Sequence, residues 1–245
     1  MSLDYRKITD IEVRQAIGYA YPYADATKIV GSIVGVTDIP GTSILPPGFP
    51  GRQDYDVLEI EPGRTDPDKA KALLREAGFA PGEYELKFAF VTDDPIAVEI
   101  RDLYVKSLEA AGFKVTPLEV STFDDKQTVS TDPNAPVNIR ESGWCSDWPS
   151  GNSWFPHLFH SNGAVNEAHF AEPAVDAEID RISGLPLGEQ PAAWGDLDRS
   201  IMTDYYPAIN TGYLGAAMLH GSRIGGMNGD NTYGMPTWKD IHVVP

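Results

Sequence analysis

The stretch from Tyr84 to Val120 constrains this chain more than any other. Tyr84, Leu86, Phe88 and Phe90 alternate with Glu85 and Lys87, the period of a half-buried strand. Asp94-Pro95 then opens a helix carrying Ile96, Ile100, Leu103, Leu108 and Ala111, and Gly112 closes it. Phe113 to Val120 reads as a second strand. A strand, a helix and a strand of these lengths make one βαβ unit, which forces parallel pairing and a right-handed crossover. The class is therefore α/β, with helices flanking a mixed sheet.

The flanking segments support this. Thr9-x-x-Glu12 is a capping-box pattern ahead of Val13, Ala16, Ile17 and Ala20, a helix expected to stop before Pro22. Asp66-Pro67, then Ala70, Leu73, Leu74 and Ala77, then Gly78, supplies an N-cap, a first-turn proline, an apolar stripe and a terminal glycine. Val137 to Trp144 reads as a strand running into a loop. Pro173 to Ile182 and Pro191 to Tyr205 read as helices, and Pro207 to Tyr213 as a strand. Pro40 to Gly51 and Gly212 to Gly234 read as loops rich in glycine or proline.

Charge and missing motifs exclude several functions. The 245 residues carry 19 Lys+Arg against 36 Asp+Glu, a formal charge of −17. Such acidity argues against nucleic-acid partners and anionic lipid, which need a basic face. No run of about 18 apolar residues is present. Neither G-x-x-x-x-G-K-[ST], nor a strand-following G-x-G-x-x-G, nor G-x-S-x-G occurs, which argues against nucleotide and α/β-hydrolase chemistry. With Cys145 alone, no internal disulfide can form; a lone cysteine near a strand end reads as a small buried hydrophobe, with a thiol–histidine nucleophile as the other option. Met1-Ser2-Leu3-Asp4 lacks the pattern of a signal peptide.

Two clusters carry candidate chemistry. Trp144, Trp148 and Trp154 crowd into eleven residues around Asp147, giving rigid apolar faces beside one carboxylate. That suits either a cleft for a cationic ligand or a tryptophan mini-core in which Asp147 caps a turn. His157 and His160, with His169 nearby, form the second cluster: a metal-dependent hydrolase centre, or three unrelated imidazoles.

The residues Gly143-Trp144-Cys145-Ser146-Asp147-Trp148-Pro149, followed by Leu158-Phe159-His160-Ser161, resemble the G-W-x-x-D-[YW]-P … L-F-x-S pattern of the extracellular solute-binding proteins of family 5. These are the oligopeptide-, dipeptide- and nickel-type binding components of ABC importers. Val13 to Ala20, Pro46-Pro47-Gly48, Asp66 to Gly78 and Phe170 to Asp176 resemble further blocks of that family, in the same order. The resemblance implies one lobe of a type II periplasmic-binding-protein-like clamshell. Residues 1–3 are then expected to be an expression scar, 4–212 the C-terminal ligand-binding lobe, and 213–245 the closing segment that returns to a first lobe. It implies a non-enzymatic receptor, without cofactor, that hands a peptide to a membrane permease. It also implies an extracellular, cell-surface or periplasmic location, membrane-anchored as a lipoprotein in the precursor. Asp147 is expected to hold the peptide α-ammonium, with Trp144 and Trp148 lining the pocket. Cys145 gains a possible disulfide partner in the first lobe. Ser150-Gly151 stands where many relatives carry a second acid.

Overall fold

The computed structural model describes residues 1–31, 36–39, 41–59, 64–216, 218–230 and 235–245. Pro40 of the first loop, and residues 217 and 231–234 of the glycine-rich tail, lie outside the described residues. The helices are α1 (Ile11–Ala20), α2 (Tyr23–Gly31), α3 (Pro67–Glu76), α4 (Pro95–Ala110), α5 (Phe123–Thr131), α6 (Phe155–Leu158), α7 (Pro173–Ser183) and α8 (Gln190–Ser200). The strands are short: β1 (Ser2–Leu3), β2 (Val36–Ile39), β3 (Glu85–Leu86), β4 (Ala89–Val91), β5 (Lys114–Val115), β6 (Leu118–Val120), β7 (Ile139–Arg140), β8 (Tyr213–Ala216), β9 (Ile224–Gly225), β10 (Gly229–Asp230), β11 (Met235–Pro236) and β12 (His242–Val243).

The βαβ unit forms as expected. β3 pairs with β5, and β4 with β6, both parallel and with α4 as the crossover. Each expected strand is broken in two for an identifiable reason. Asn138 reaches into the first: its Oδ1 accepts the Lys87 N–H at 2.7 Å, and the Lys87 carbonyl accepts the N–H groups of Asn138 and Ile139, both at 3.0 Å. In the second, Pro117 has no N–H to give the ladder. Those bonds to Lys87 attach β7 beside the parallel pairs, and β7 pairs antiparallel with β1. On the far side of β1, Leu3 N–H donates to Pro207 O and Ile209 N–H to Met1 O. The layer is mixed, as expected, but stitched from two-stranded pieces. Residues 1–3, expected to be a scar, are packed into it, with Leu3 fully buried. The expected strand from Pro207 to Tyr213 is a single bridge at Ala208; the regular strand there is β8, antiparallel to β2. Of the strand expected over Val137 to Trp144, only β7 is regular.

Local chemistry sets the helix ends. Asp66 accepts the Lys69 N–H at 3.0 Å and Asp94 the Ile96 N–H at 2.9 Å, each followed by proline at the first helical position. Gly78 and Gly112 adopt φ of 89° and 94° just beyond the two helices, a region that glycine enters without penalty. The expected box at Thr9 does not form. Asp10 is the N-cap and makes no side-chain cap bond, while the carbonyls of Ile8 and Thr9 accept from Arg14 at 2.7 and 2.8 Å. Asp66→Ala should therefore cost about 1 kcal/mol and Thr9→Ala about nothing. Urea melts of the two variants check this; a Thr9→Ala loss equal to that of Asp66→Ala would contradict the assignment.

The core runs beneath the layer and between α1, α3, α7 and α8, with Ile17, Leu74, Leu86, Phe155, Phe170, Ile179 and Trp194 all buried. After α8 the chain widens into a π-turn, Ile201–Tyr205, closed by Tyr206 N–H on Ile201 O at 3.0 Å with Tyr206 at φ 47°. Arg14 Nε donates to the Tyr205 carbonyl at 2.8 Å, satisfying a group the π-turn leaves without a helical partner.

Candidate functional site

The tryptophan loop leaves the sheet directly after β7. Ser153 ties its two ends together. Ser153 is fully buried, its carbonyl accepts from Trp144 Nε1 at 2.6 Å, and its Oγ accepts the Asp147 N–H at 2.7 Å. Ser153 is itself fixed, donating its N–H to Ser150 O at 2.9 Å inside a 3₁₀ turn, Gly151–Ser153. Beneath that turn lies Trp194. A Cβ on Gly151 would sit 2.4 Å from Trp194 Cγ, so only glycine lets the loop seat there. Trp194 stacks on Phe155 with centroids 5.4 Å apart and planes at 10°.

On this platform Asp147 is exposed, Trp148 is 42 % exposed, and Trp144 is half-buried with its ring 5.5 Å from that of His157. Asp147 and Trp144 are thus brought together through Ser153, whereas Trp148 reaches into solvent. Trp154 does not join them; it packs on Phe49 with centroids 6.0 Å apart. Cys145, expected as a buried hydrophobe, is exposed with a free thiol.

Beside Trp144 opens a cleft of about 440 Å³. Its walls are Phe123, Lys126, Gln127 and Ser130 of α5, Glu141 to Trp144 after β7, and Leu158, Val165 and Glu167. Lys126 Nζ pairs with Glu141. Burial pushes the Glu167 carboxyl above its ordinary value, against the weaker pull of the Met1 amine and Arg140. Sequence reasoning found Trp144 but none of the α5 or Glu167 contributions.

The histidine alternative does not assemble. His157 lies against Trp144. His160 accepts the Asn162 N–H at Nδ1, 3.0 Å, and its nitrogens stand 3.9 and 3.8 Å from Asp176 and Asp180. His169 is remote, with Nε2 buried and unpartnered, and its pKa lowered by burial. Among the described residues no group of three or more His, Cys, Asp or Glu is placed to hold a metal. A metal-dependent hydrolase at His157 and His160 is not supported by this arrangement. Among the same residues no helix is long and apolar enough to cross a membrane.

The class follows from the fold. The whole chain superposes on type II periplasmic binding proteins. These include the clavulanic acid biosynthesis oligopeptide binding protein 2 (TM-score 0.82, 19 % identity, all of this chain and 46 % of that one). OppA of Burkholderia pseudomallei is a second (TM-score 0.78, 20 % identity, all of this chain and 48 % of that one). The family model of bacterial extracellular solute-binding proteins, family 5 middle, matches residues 1–166, and the chain belongs to that family. It is 28 % identical over 184 residues to the periplasmic oligopeptide-binding protein OppA of Escherichia coli, covering 68 % of this chain and 31 % of the relative. Heme-binding protein A of Haemophilus influenzae is 25 % identical over 189 residues, 75 % of this chain and 32 % of the relative. The chain therefore spans about a third of the length of these curated relatives.

Proposed function

We propose that this chain is the ligand-binding lobe, residues 4–212, of a peptide receptor serving an ABC importer. Residues 213–245 form the segment that joins it to a second lobe. The receptor works outside the cytoplasm, anchored by a lipid on its precursor, and delivers its peptide to a membrane permease. It performs capture without chemistry. The observation that carries the reading is the Ser153 clamp, which presents Asp147 and Trp144 together on an exposed face. A carboxylate so placed suits a peptide α-ammonium, and the rings of Trp144 and Trp148 suit the adjoining chain. The names of the relatives support a peptide as the class of solute. One lobe supplies one wall, so solvent remains around the ion pair and screens it.

The test is a titration of the chain with trialanine, followed by tryptophan fluorescence. Asp147→Asn should weaken binding severalfold, the scale of about 0.2–1 kcal/mol for a solvent-exposed ion pair. Unchanged affinity in Asp147→Asn would remove Asp147 from the site.

A further inference from the structure

We propose that the cleft beside Trp144 takes a cationic side chain of the bound ligand, a lysine or arginine, with Glu167 and Glu141 as its charge partners and Phe123 and Trp144 as its walls. This rests on the reading of the chain as a peptide receptor and names which peptides it favours.

The walls carry one cation, Lys126, against two carboxylates, Glu141 and Glu167. Lys126 pairs with Glu141. Glu167 keeps a buried Oε2 with no hydrogen-bond partner. Other buried acids of the fold are satisfied: Asp4 is paired by Arg140 at 2.8 Å, and Asp198 accepts from the Ile44 and Leu45 N–H groups at 3.0 Å and from the Tyr55 hydroxyl at 2.7 Å. A carboxylate oxygen withdrawn from water without a donor is costly, so an arriving cation gains what the fold withholds. The neighbouring cations do not fill the role. Arg140 is committed to Asp4. The Met1 amine donates to Ile209 O at 2.9 Å, and burial pulls its pKa down to about 6.

Shape agrees with charge. Phe123 stands at the rim, 68 % exposed, and adds an aromatic face to the cleft. Leu158 and Val165 line the same space, giving apolar surface for the methylenes of a long basic side chain whose charged end meets a carboxylate. Trp144 belongs both to this cleft and to the Ser153 clamp that carries Asp147, which ties the two features together.

The experiment uses the complete chain, ¹⁵N-labelled, titrated with Ala-Lys-Ala and with its neutral norleucine analogue, both with free N-termini. The lysine peptide should bind at least about threefold more tightly and shift the amides of Glu141 to Trp144 and of Glu167. Glu167→Gln should cut the preference for the lysine peptide over the norleucine peptide by at least half. Should that variant fold poorly, Glu141→Gln, at an exposed position, should likewise narrow the preference for the lysine peptide. Equal binding of both peptides, with shifts in the Asp147 loop, would overturn the cationic cleft and leave the receptor reading standing. No shift anywhere in 141–148 with either peptide would overturn both.

Discussion

Asp4→Ala is expected to destabilise the chain by about 3–5 kcal/mol, one of the largest losses available to a single side chain here. Asp4 and Arg140 are both buried and pair at 2.8 Å across 136 residues of sequence, Asp4 just after β1 and Arg140 at the end of β7, the strand that leads to the tryptophan loop. Removing the acid leaves Arg140 as an uncompensated charge. Arg6 also donates to Asp4, at 3.1 and 3.2 Å, so three elements loosen together. A double variant, Asp4→Ala with Arg140→Met, should recover part of the loss because no charge is stranded. Urea denaturation of the single and double variants measures this; a loss below about 1 kcal/mol for Asp4→Ala would contradict the account.

The same pair sets an acid limit. Burial alone would raise the Asp4 pKa, but the hydrogen bonds and charges of Arg6 and Arg140 hold it below its ordinary value. A carboxyl depressed in the folded state contributes fully above its unfolded pKa. That contribution is lost as pH falls through the folded value, hence below about pH 4. In Asp4→Ala this component of the acid sensitivity should be missing.

Trp194→Ala is expected to cost about 3–5 kcal/mol and to disorganise the ligand loop as well. The ring is fully buried, stacked on Phe155, and forms the seat for Gly151. With it gone, the 3₁₀ turn that fixes Ser153 has nothing beneath it, and Trp144 and Asp147 lose their common anchor. Trp194→Phe should be far milder, because the indole Nε1 is buried without a partner and its removal strands nothing. Thermal melts give the stability difference, and the amide shifts of residues 144–148 report the loop. A Trp194→Ala chain with wild-type shifts there would separate the loop from its platform.

What could be read from the residues was local. Asp66-Pro67 and Asp94-Pro95 announce their helices because cap, proline and closing glycine act within a few residues of each other. α5 escaped because its apolar stripe is weak and only Ser130 is buried, although Thr122 and Asp125 form a complete capping box that marks its start. α2 was hidden behind Pro22, which ends one helix and sits just before the next. The strands over Tyr84 to Phe90 and Phe113 to Val120 were placed correctly but not their breaks. One break depends on Asn138, some fifty residues distant, which no local pattern reveals. The site divides in the same way. Asp147 and Trp144 lie three residues apart in one motif, whereas Lys126 and Glu167 reach the cleft from segments that only the folded chain brings together. Cys145 was misplaced because its burial depends on what covers the loop, not on its neighbours in sequence.

The most direct measurement is an amide-resolved titration of the complete chain with trialanine and with N-acetyl-trialanine. A peptide-binding lobe anchored on Asp147 predicts that trialanine binds with a Kd on the order of 1 mM, about −4 kcal/mol. Its largest shifts should fall within residues 143–148, and acetylation should weaken the binding severalfold, the loss expected of one solvent-exposed ion pair. Shifts confined to other surfaces, or binding that is indifferent to acetylation, would contradict it.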